Sequence, residues 1–355
     1  MEPRTREAFN RYLDRQAELN NTSADIVRGG KKFTVEPSVA QTLNDKQQES
    51  SAFLQRVNVT QVTEMKGDKL GLGVAGPIAS RTNTAAGTKR TTVDPSTLDE
   101  DGYECKQTNS DTHIRYAKID AWAKFKDFQT RIRNHIVKRQ ALDRIMVGWN
   151  GVSAAATTNK IANPLLQDVN IGWLQHIRAW NSGARHLAEG SVEDGKIVID
   201  PTDGDYKNLD ALVVDAVHNL LPSWARQDPE LVAVLGDDLM HDKFFPLVNS
   251  NLEPTEELAS DLIISAKRVG KKTAVTVPFF PPDAILIVRL TQKESNLSIY
   301  EQEGKRRRTI VDRAELDQIE TYESSNDAYV VEDYDYALLI ENIQLGATPP
   351  EPEDP

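Results

Sequence analysis

Apolar residues recur at helical spacing through one long run, DAWAKFKDFQTRIRNHIVKRQALDRIMVGWNG, at positions 120–151. Trp122, Phe125, Phe128, Ile132, Ile136, Leu142, Ile145, Met146 and Trp149 fall mostly three or four residues apart, the period of one helix face. Asp120 is placed to cap the first turn, and Gly151 to supply a left-handed stop. At 1.5 Å per residue such a helix is roughly 45 Å long, well beyond the average of about three turns. The opposite face carries Lys124, Lys126, Arg131, Arg133, Lys138, Arg139 and Arg144. Two readings follow: a long helix with a solvated basic face, or a spine on which a sheet and extended arms are mounted.

The pattern on either side is uneven. Residues 1–30 alternate charges around a thin stripe of Phe9, Tyr12, Leu13, Ala17 and Leu19. They predict a short amphipathic helix that buries no core: a frayed tail, or a helix that docks on a partner and is later removed. Gly29-Gly30-Lys31-Lys32 then reads as an accessible nick site. Ser38 to Phe53 predicts a helix, and Val57, Val59 and Val62 a strand. Residues 66–105 are rich in Gly, Thr, Ala and Asp, and poor in large apolar residues. That composition permits a long β-ribbon, and an isolated ribbon is marginal in water, so the expected support is a neighbouring subunit. Residues 168–180 predict a further helix, and Lys196 to Ile199 a hairpin arm.

From Leu209 the pattern is that of a second core. Leu209 to Leu221 and Asp237 to Val248 predict helices, while Leu231–Leu235 and Ala284–Val288 read as strands buried on both faces. Strands dominate from Leu297 to Ile343, with Lys305-Arg306-Arg307-Arg308 at a hairpin turn. Residues 347–355 are Pro- and acid-rich and read as disordered. Strands mixed with helices around a central sheet give an α/β or α+β unit.

The bulk numbers narrow the function. The chain has 355 residues, a net charge of −12, one cysteine (Cys105) and no apolar run long enough for a membrane span. Mean hydropathy is −0.51, and the N-terminus has no secretory h-region. An acidic chain argues against tight phosphate contact as the main role. The six histidines form no metal-ligand spacing, and no nucleophile elbow or Walker motif is present. Gly71, Gly73 and Gly76 match G-x-G-x-x-G, but Pro77 follows at once and no apolar strand precedes them. Glu332-Asp333-Tyr334-Asp335 lacks the glycine-centred loop of an EF-hand and reads as exposed strand positions facing a basic neighbour. The Lys305–Arg308 run is open between DNA contact, pairing with an adjacent subunit and a solvated turn. Neither a catalytic constellation nor a cofactor is expected.

Several runs carry a family resemblance. They include Lys31–Ser38, Gln48–Ser51, Glu64–Gly67 with Gly71–Gly76, Ile114–Tyr116, Arg131–Asn134, Lys138–Gln140, Leu166–Val169, Gly172–Gln175, Asn296–Tyr300 and Val330–Tyr334. In that order they resemble the major capsid proteins of the P-two-like tailed phages (peduoviruses), over about residues 5–345. Departures gather in 181–206, at Lys271-Lys272 and in the C-terminal tail.

The resemblance implies the Hong Kong 97 capsid fold: a spine helix, an extended β-ribbon E-loop, and peripheral and axial domains. It implies a propeptide at 1–32, cut near Lys31, Lys32 and Phe33, and an N-arm with the first strand at 33–65. It places the E-loop at 66–112, the peripheral domain at 113–206, the axial domain at 207–320 and returning peripheral strands at 321–346. Candidate contacts between subunits are Lys69, Gly71, Gly73, Gly76, Arg81, Lys89, Arg90, Arg306, Arg307 and Arg308. The implied partners are further copies of the chain in hexamers and pentamers, an internal scaffold protease, a portal protein, and double-stranded DNA enclosed without sequence-specific binding. The implied location is the virion, with assembly in the host cytoplasm and no membrane. Rival readings are a DNA-binding nucleoprotein and a nucleotide-binding enzyme using Gly71–Gly76.

Overall fold

The computed structural model describes residues 1–69, 79–92, 102–122, 128–248, 267–291 and 295–346. Eight described helices run in chain order: α1 (Pro3–Leu19), α2 (Ala24–Arg28), α3 (Pro37–Glu49), α4 (Tyr116–Trp122), α5 (Phe128–Asn150), α6 (Trp173–Ala179), α7 (Leu209–Leu220) and α8 (Asp237–Val248). The strands before α7 are β1 (Phe33–Thr34), β2 (Asn58–Val62), β3 (Lys66–Asp68), β4 (Gly102–Glu104), β5 (Lys106–Asn109), β6 (Thr112–Arg115), β7 (His186–Leu187) and β8 (Ile197–Ile199). Those after it are β9 (Leu231–Leu235), β10 (Arg268–Val269), β11 (Lys272–Thr276), β12 (Ile285–Arg289), β13 (Leu297–Gln302), β14 (Arg307–Arg313), β15 (Gln318–Val331), β16 (Ala337–Ile340) and β17 (Ile343–Leu345).

A seven-stranded sheet is built on β15, 14 residues long. β13 and β14 run end to end along one edge of β15, antiparallel to it, and β5 and β6 do the same along the other. β2 flanks β13 in parallel and β1 flanks β14 antiparallel. A six-stranded sheet, in the order β10-β11-β9-β12-β16-β7, holds the apolar strands. Its alternation explains their sequence. Leu231, Ala233, Leu235, Ile285, Ile287, Leu338 and Ile340 face one core with α7 and α8, while Val234, Leu286, Val288 and Leu339 face another with α5 and α6. A sheet covered on both faces needs apolar residues at successive positions, hence LVAVL and ALLI. The second of these cores also takes Leu297, Ile299, Tyr329 and Val331 from the seven-stranded sheet, so one cluster joins both sheets.

Sheet membership crosses the boundaries expected from the sequence. β13 and β14 fall within 207–320 but pair with β15, and β16 falls within 321–346 but lies in the six-stranded sheet. Backbone pairing follows register with a partner, which linear spans do not encode.

The long helix, described as α4 and α5 with residues 123–127 outside the described residues, differs from its expectation in three ways. Asp120 lies within α4 and does not cap the first turn. Gly151 is not left-handed; a Cβ there would lie 2.2 Å from the Asn170 carbonyl oxygen, so the glycine permits close approach. Arg144 is buried, with Ala141, Ile145 and Gly148, on the inward arc of α5. Residues 168–180 are helical only over α6, and Lys196 to Ile199 forms no hairpin arm, because β8 pairs in parallel with β17. The Gly71–Gly76 run and the tail at 347–355 lie outside the described residues.

Candidate assembly surface

Residues 1–30 dock on their own chain. α1 is amphipathic, and its Leu13 and Ala17 close a small cluster with Val27, Phe33, Tyr116, Ile310 and Ile319. Of the two expected readings, a frayed tail or a docking helix, the segment docks, and it does so on its own chain. Ser23 caps α2 by accepting from the Asp25 N–H, and the Arg28 guanidinium meets Asp14 at 2.6 Å, tying α2 to α1. Arg6 donates to Asp312, which also accepts from the Tyr116 hydroxyl. Burial and that hydrogen bond push the Tyr116 phenol up to about 12. The amino terminus lies 3.8 Å from Asp120.

The expected cleavage region is half open. Lys31 and Lys32 are exposed, whereas Phe33 is 6% exposed and pairs with Arg308 in the β1–β14 ladder.

Behind β14 lies a buried charge network. Arg144 Nη2 is 2.9 Å from Glu301 and 3.4 Å from Asp327, and its Nη1 donates to Asn44. Arg306 reaches Glu323 at 2.7 Å and also donates to Asn44, while Arg308 reaches Glu323 at 2.7 Å and donates to Gln16 of α1. Burial raises the Glu323 carboxyl, but the charges of Arg308 and Arg306 outweigh it and hold the group at about 2. Burial raises the Asp327 carboxyl. Two of the four residues in the Lys305–Arg308 run therefore act inside the chain. Arg307 and Arg308 open β14, and Lys305 and Arg306 link it to the turn at Glu303-Gly304.

The ribbon's base is equally tied to its own body. β3 and β4 pair, and Gly67 leaves room for the Tyr103 ring, since a Cβ there would lie 2.9 Å from its hydroxyl. Tyr103 meets Tyr300 edge-on at 5.0 Å. Lys69 is 7% exposed; its Nζ donates to the Val331 carbonyl and lies 4.9 Å from the Tyr334 ring centre. Cys105 is buried and its thiol is pushed up to about 12, by burial first and then by Asp327 and Glu301, which keeps it protonated at neutral pH. Arg81, Lys89 and Arg90 are exposed on a stretch, 79–92, that contains no acidic residue. Gly71, Gly73 and Gly76 lie outside the described residues.

No group of histidines, cysteines and carboxylates able to hold a metal occurs among the described residues. The Glu332–Asp335 run acts within the chain: Tyr334 is buried, Asp333 caps its turn, and Asp335 meets Arg185 at 2.7 Å. Sequence reasoning missed Arg144. Its signal was present, since position 144 is three residues from Ala141 and four from Gly148, on the buried stripe.

A body of two sheets crossed by a long helix, with a docked N-terminal segment, defines the class. The satellite phage P4 procapsid, solved with its size determination protein, superposes with a TM-score of 0.79 at 47% identity, covering 98% of this chain and 99% of its own. The chain is an α+β protein with the Hong Kong 97-like capsid fold. It belongs to the P2 family of phage major capsid proteins, whose model matches residues 8–343. It is 50% identical to the capsid protein of Escherichia phage P2 over 98% of this chain and 96% of that one. It is 41% identical to the major capsid protein of Serratia phage KSP20 over 97% of both chains. The protein is therefore a structural subunit of a phage shell, not an enzyme, and none of its described helices is long and apolar enough to cross a membrane.

Proposed function

We propose that this chain self-assembles into the hexamers and pentamers of an icosahedral shell that encloses double-stranded DNA, and that residues 1–32 are removed on maturation. The observation that carries the reading is the N-terminal segment. It sits on the body through its own small cluster, and two exposed lysines join it to β1. A covalent cut there converts a docked segment into a dissociable one, giving a one-way step. The partners proposed are an internal scaffold protease, a portal protein and neighbouring copies of the chain. The ribbon over 66–112 serves as the E-loop, reaching a neighbour with Arg81, Lys89 and Arg90; the acidic net charge of that neighbour favours the contact. The unit around β15 and α5 serves as the peripheral domain, and that around the six-stranded sheet, α7 and α8 as the axial domain. A net charge of −12 suits a container in which DNA must slide, because strong phosphate binding impedes packing.

The test is co-expression with the scaffold protease, electron microscopy of the particles, and N-terminal sequencing of the shell subunit. Shells whose subunits begin within Lys31–Phe33 are expected. Finished shells whose subunits still begin at Met1 would refute the maturation step.

A further inference from the structure

We infer that the Lys31–Lys32–Phe33 junction is latched in the folded subunit, so that cutting it requires β1 to peel from β14. The inference takes its biological purpose from the maturation reading above, but its geometry stands alone.

The chain is fixed on both sides of the exposed lysines. Upstream, the Gly29 N–H donates to Asp25 at 2.9 Å and the Lys31 N–H to Ile26 at 3.0 Å, and Gly30 takes the left-handed turn at φ 65° that closes α2. Val27, 1% exposed, anchors that helix. Downstream, Phe33 and Thr34 pair with Arg308 and Arg307, and the Val35 N–H donates to the Arg306 carbonyl at 2.8 Å. Phe33 and Val35 are both buried, at 6% and 1% exposure. A cross-tie spans the junction, because Asn20, at the end of α1, accepts from the Glu36 N–H at 3.1 Å.

Proteases that recognise extended chain add it as a strand, using backbone groups on several successive residues. Here Lys31 and Lys32 alone separate a closed helix end from a paired strand. The rate of cutting then follows the population of an opened state. β1 is a two-residue edge strand, so its release costs less than global unfolding. Its partner strand is held to β15 through Arg306, Arg308 and Glu323, so the latch and the buried network share residues. Cutting is thus timed by the subunit's conformation as well as by the presence of protease. A deformation that strains β14 against β15 releases the site.

Limited digestion of the full-length chain with a lysine-specific endoprotease tests this. Residues 1–30 contain no lysine, so a cut after Lys31 or Lys32 leaves the N-terminal segment intact for mass spectrometry. Exposed Lys89 is the internal control. With each rate normalised to that of the denatured chain, cutting at the junction is expected to be at least about tenfold slower than at Lys89. Phe33→Ala and Asn20→Ala should each speed the junction several-fold and leave Lys89 unchanged. Asn20 lies outside the cut sequence, so its effect cannot arise from protease preference. Equal normalised rates at the two places would overturn the inference. So would an unchanged ratio in both variants while circular dichroism shows a retained fold. Neither result depends on whether a phage protease uses the site.

Discussion

Three arginines and three carboxylates share the interior between α3, α5 and the seven-stranded sheet, and the balance holds only while all are present. Removing one member of a buried ion cluster leaves an uncompensated charge, which costs about 3–5 kcal/mol. Arg144→Ala should lower the thermal midpoint accordingly, whereas Arg139→Ala, whose partner Asp143 lies 2.6 Å away on the outer face, should change it little. Glu323 carries the pH dependence. Its folded value of about 2 lies below its ordinary 4.5, so the fold favours the ionised form. Its contribution is complete above the ordinary value and is lost as pH falls toward 2. Holding the carboxyl that far below its ordinary value is worth about 3 kcal/mol. Glu341, held at about 2 by Arg178 and His186 against its burial, titrates in the same window. Acid unfolding of Glu323→Gln should therefore show a shallower loss of stability between about pH 4.5 and 2, not a flat one. An acid titration as steep as that of the parent chain would rule out the assigned role of Glu323.

Elements meet where side chains are absent as much as where they are large. Gly148 on α5 lies under Trp173 at the start of α6, and a Cβ there would lie 2.2 Å from the indole. Gly148→Ala should cost about 1–3 kcal/mol by overpacking, read as a lowered denaturation midpoint with an unchanged slope. The same contact shows why some elements were legible in the sequence and others were not. α7 is announced by Asn208, whose side chain accepts from the Ala211 N–H, and by Leu209, Leu212, Val213, Ala216 and Val217 at helical spacing. β9 and β12 are announced by apolar runs that only a doubly covered sheet explains. Sequence announces an extended segment at β8 but not its pairing, because its partner β17 is more than a hundred residues away and their register is tertiary. Nor does it announce the docking of α1, whose apolar stripe is thin and whose partner residues, Ile310 and Ile319, come from the far end of the chain. Arg306 and Arg308 read as surface charges because only the fold brings Glu323 between them. At this scale the ribbon makes its own prediction. Its base is tied by Lys69 and Tyr103, so deleting residues 70–100, which spares both, should leave a soluble chain whose particles fail to form. Normal shells from that deletion under the electron microscope would remove the ribbon from the assembly surface.

A shell subunit spends part of its surface on other copies, and apolar side chains left exposed in the single chain mark where. The loop after α5 presents Val152 at 49%, Ile161 at 96% and Leu165 at 37% exposure. Hydrogen bonds stiffen it: Asn159 accepts from the Ile161 and Ala162 N–H groups, Gln167 from that of Leu165, and Asp168 from that of Asn159. The loop holds its apolar tip in place before any contact, which lowers the entropy cost of binding. Its sequence from Val152 to Leu166 carries only Lys160 as a charge, in a chain of net −12. Like-charged copies repel across most of their surface and meet most easily where both are neutral. Ile161→Asp should therefore leave the thermal midpoint of the free chain within about 0.5 kcal/mol of the parent, as expected for an exposed position. The same change should sharply reduce shell yield in sedimentation and negative-stain microscopy, because a lattice repeats each weakened contact many times. Ile161→Ala should fall between the two. If Ile161→Asp assembles at the parental yield and protein concentration, this loop faces solvent in the shell, and contacts between copies must be sought on the ribbon alone.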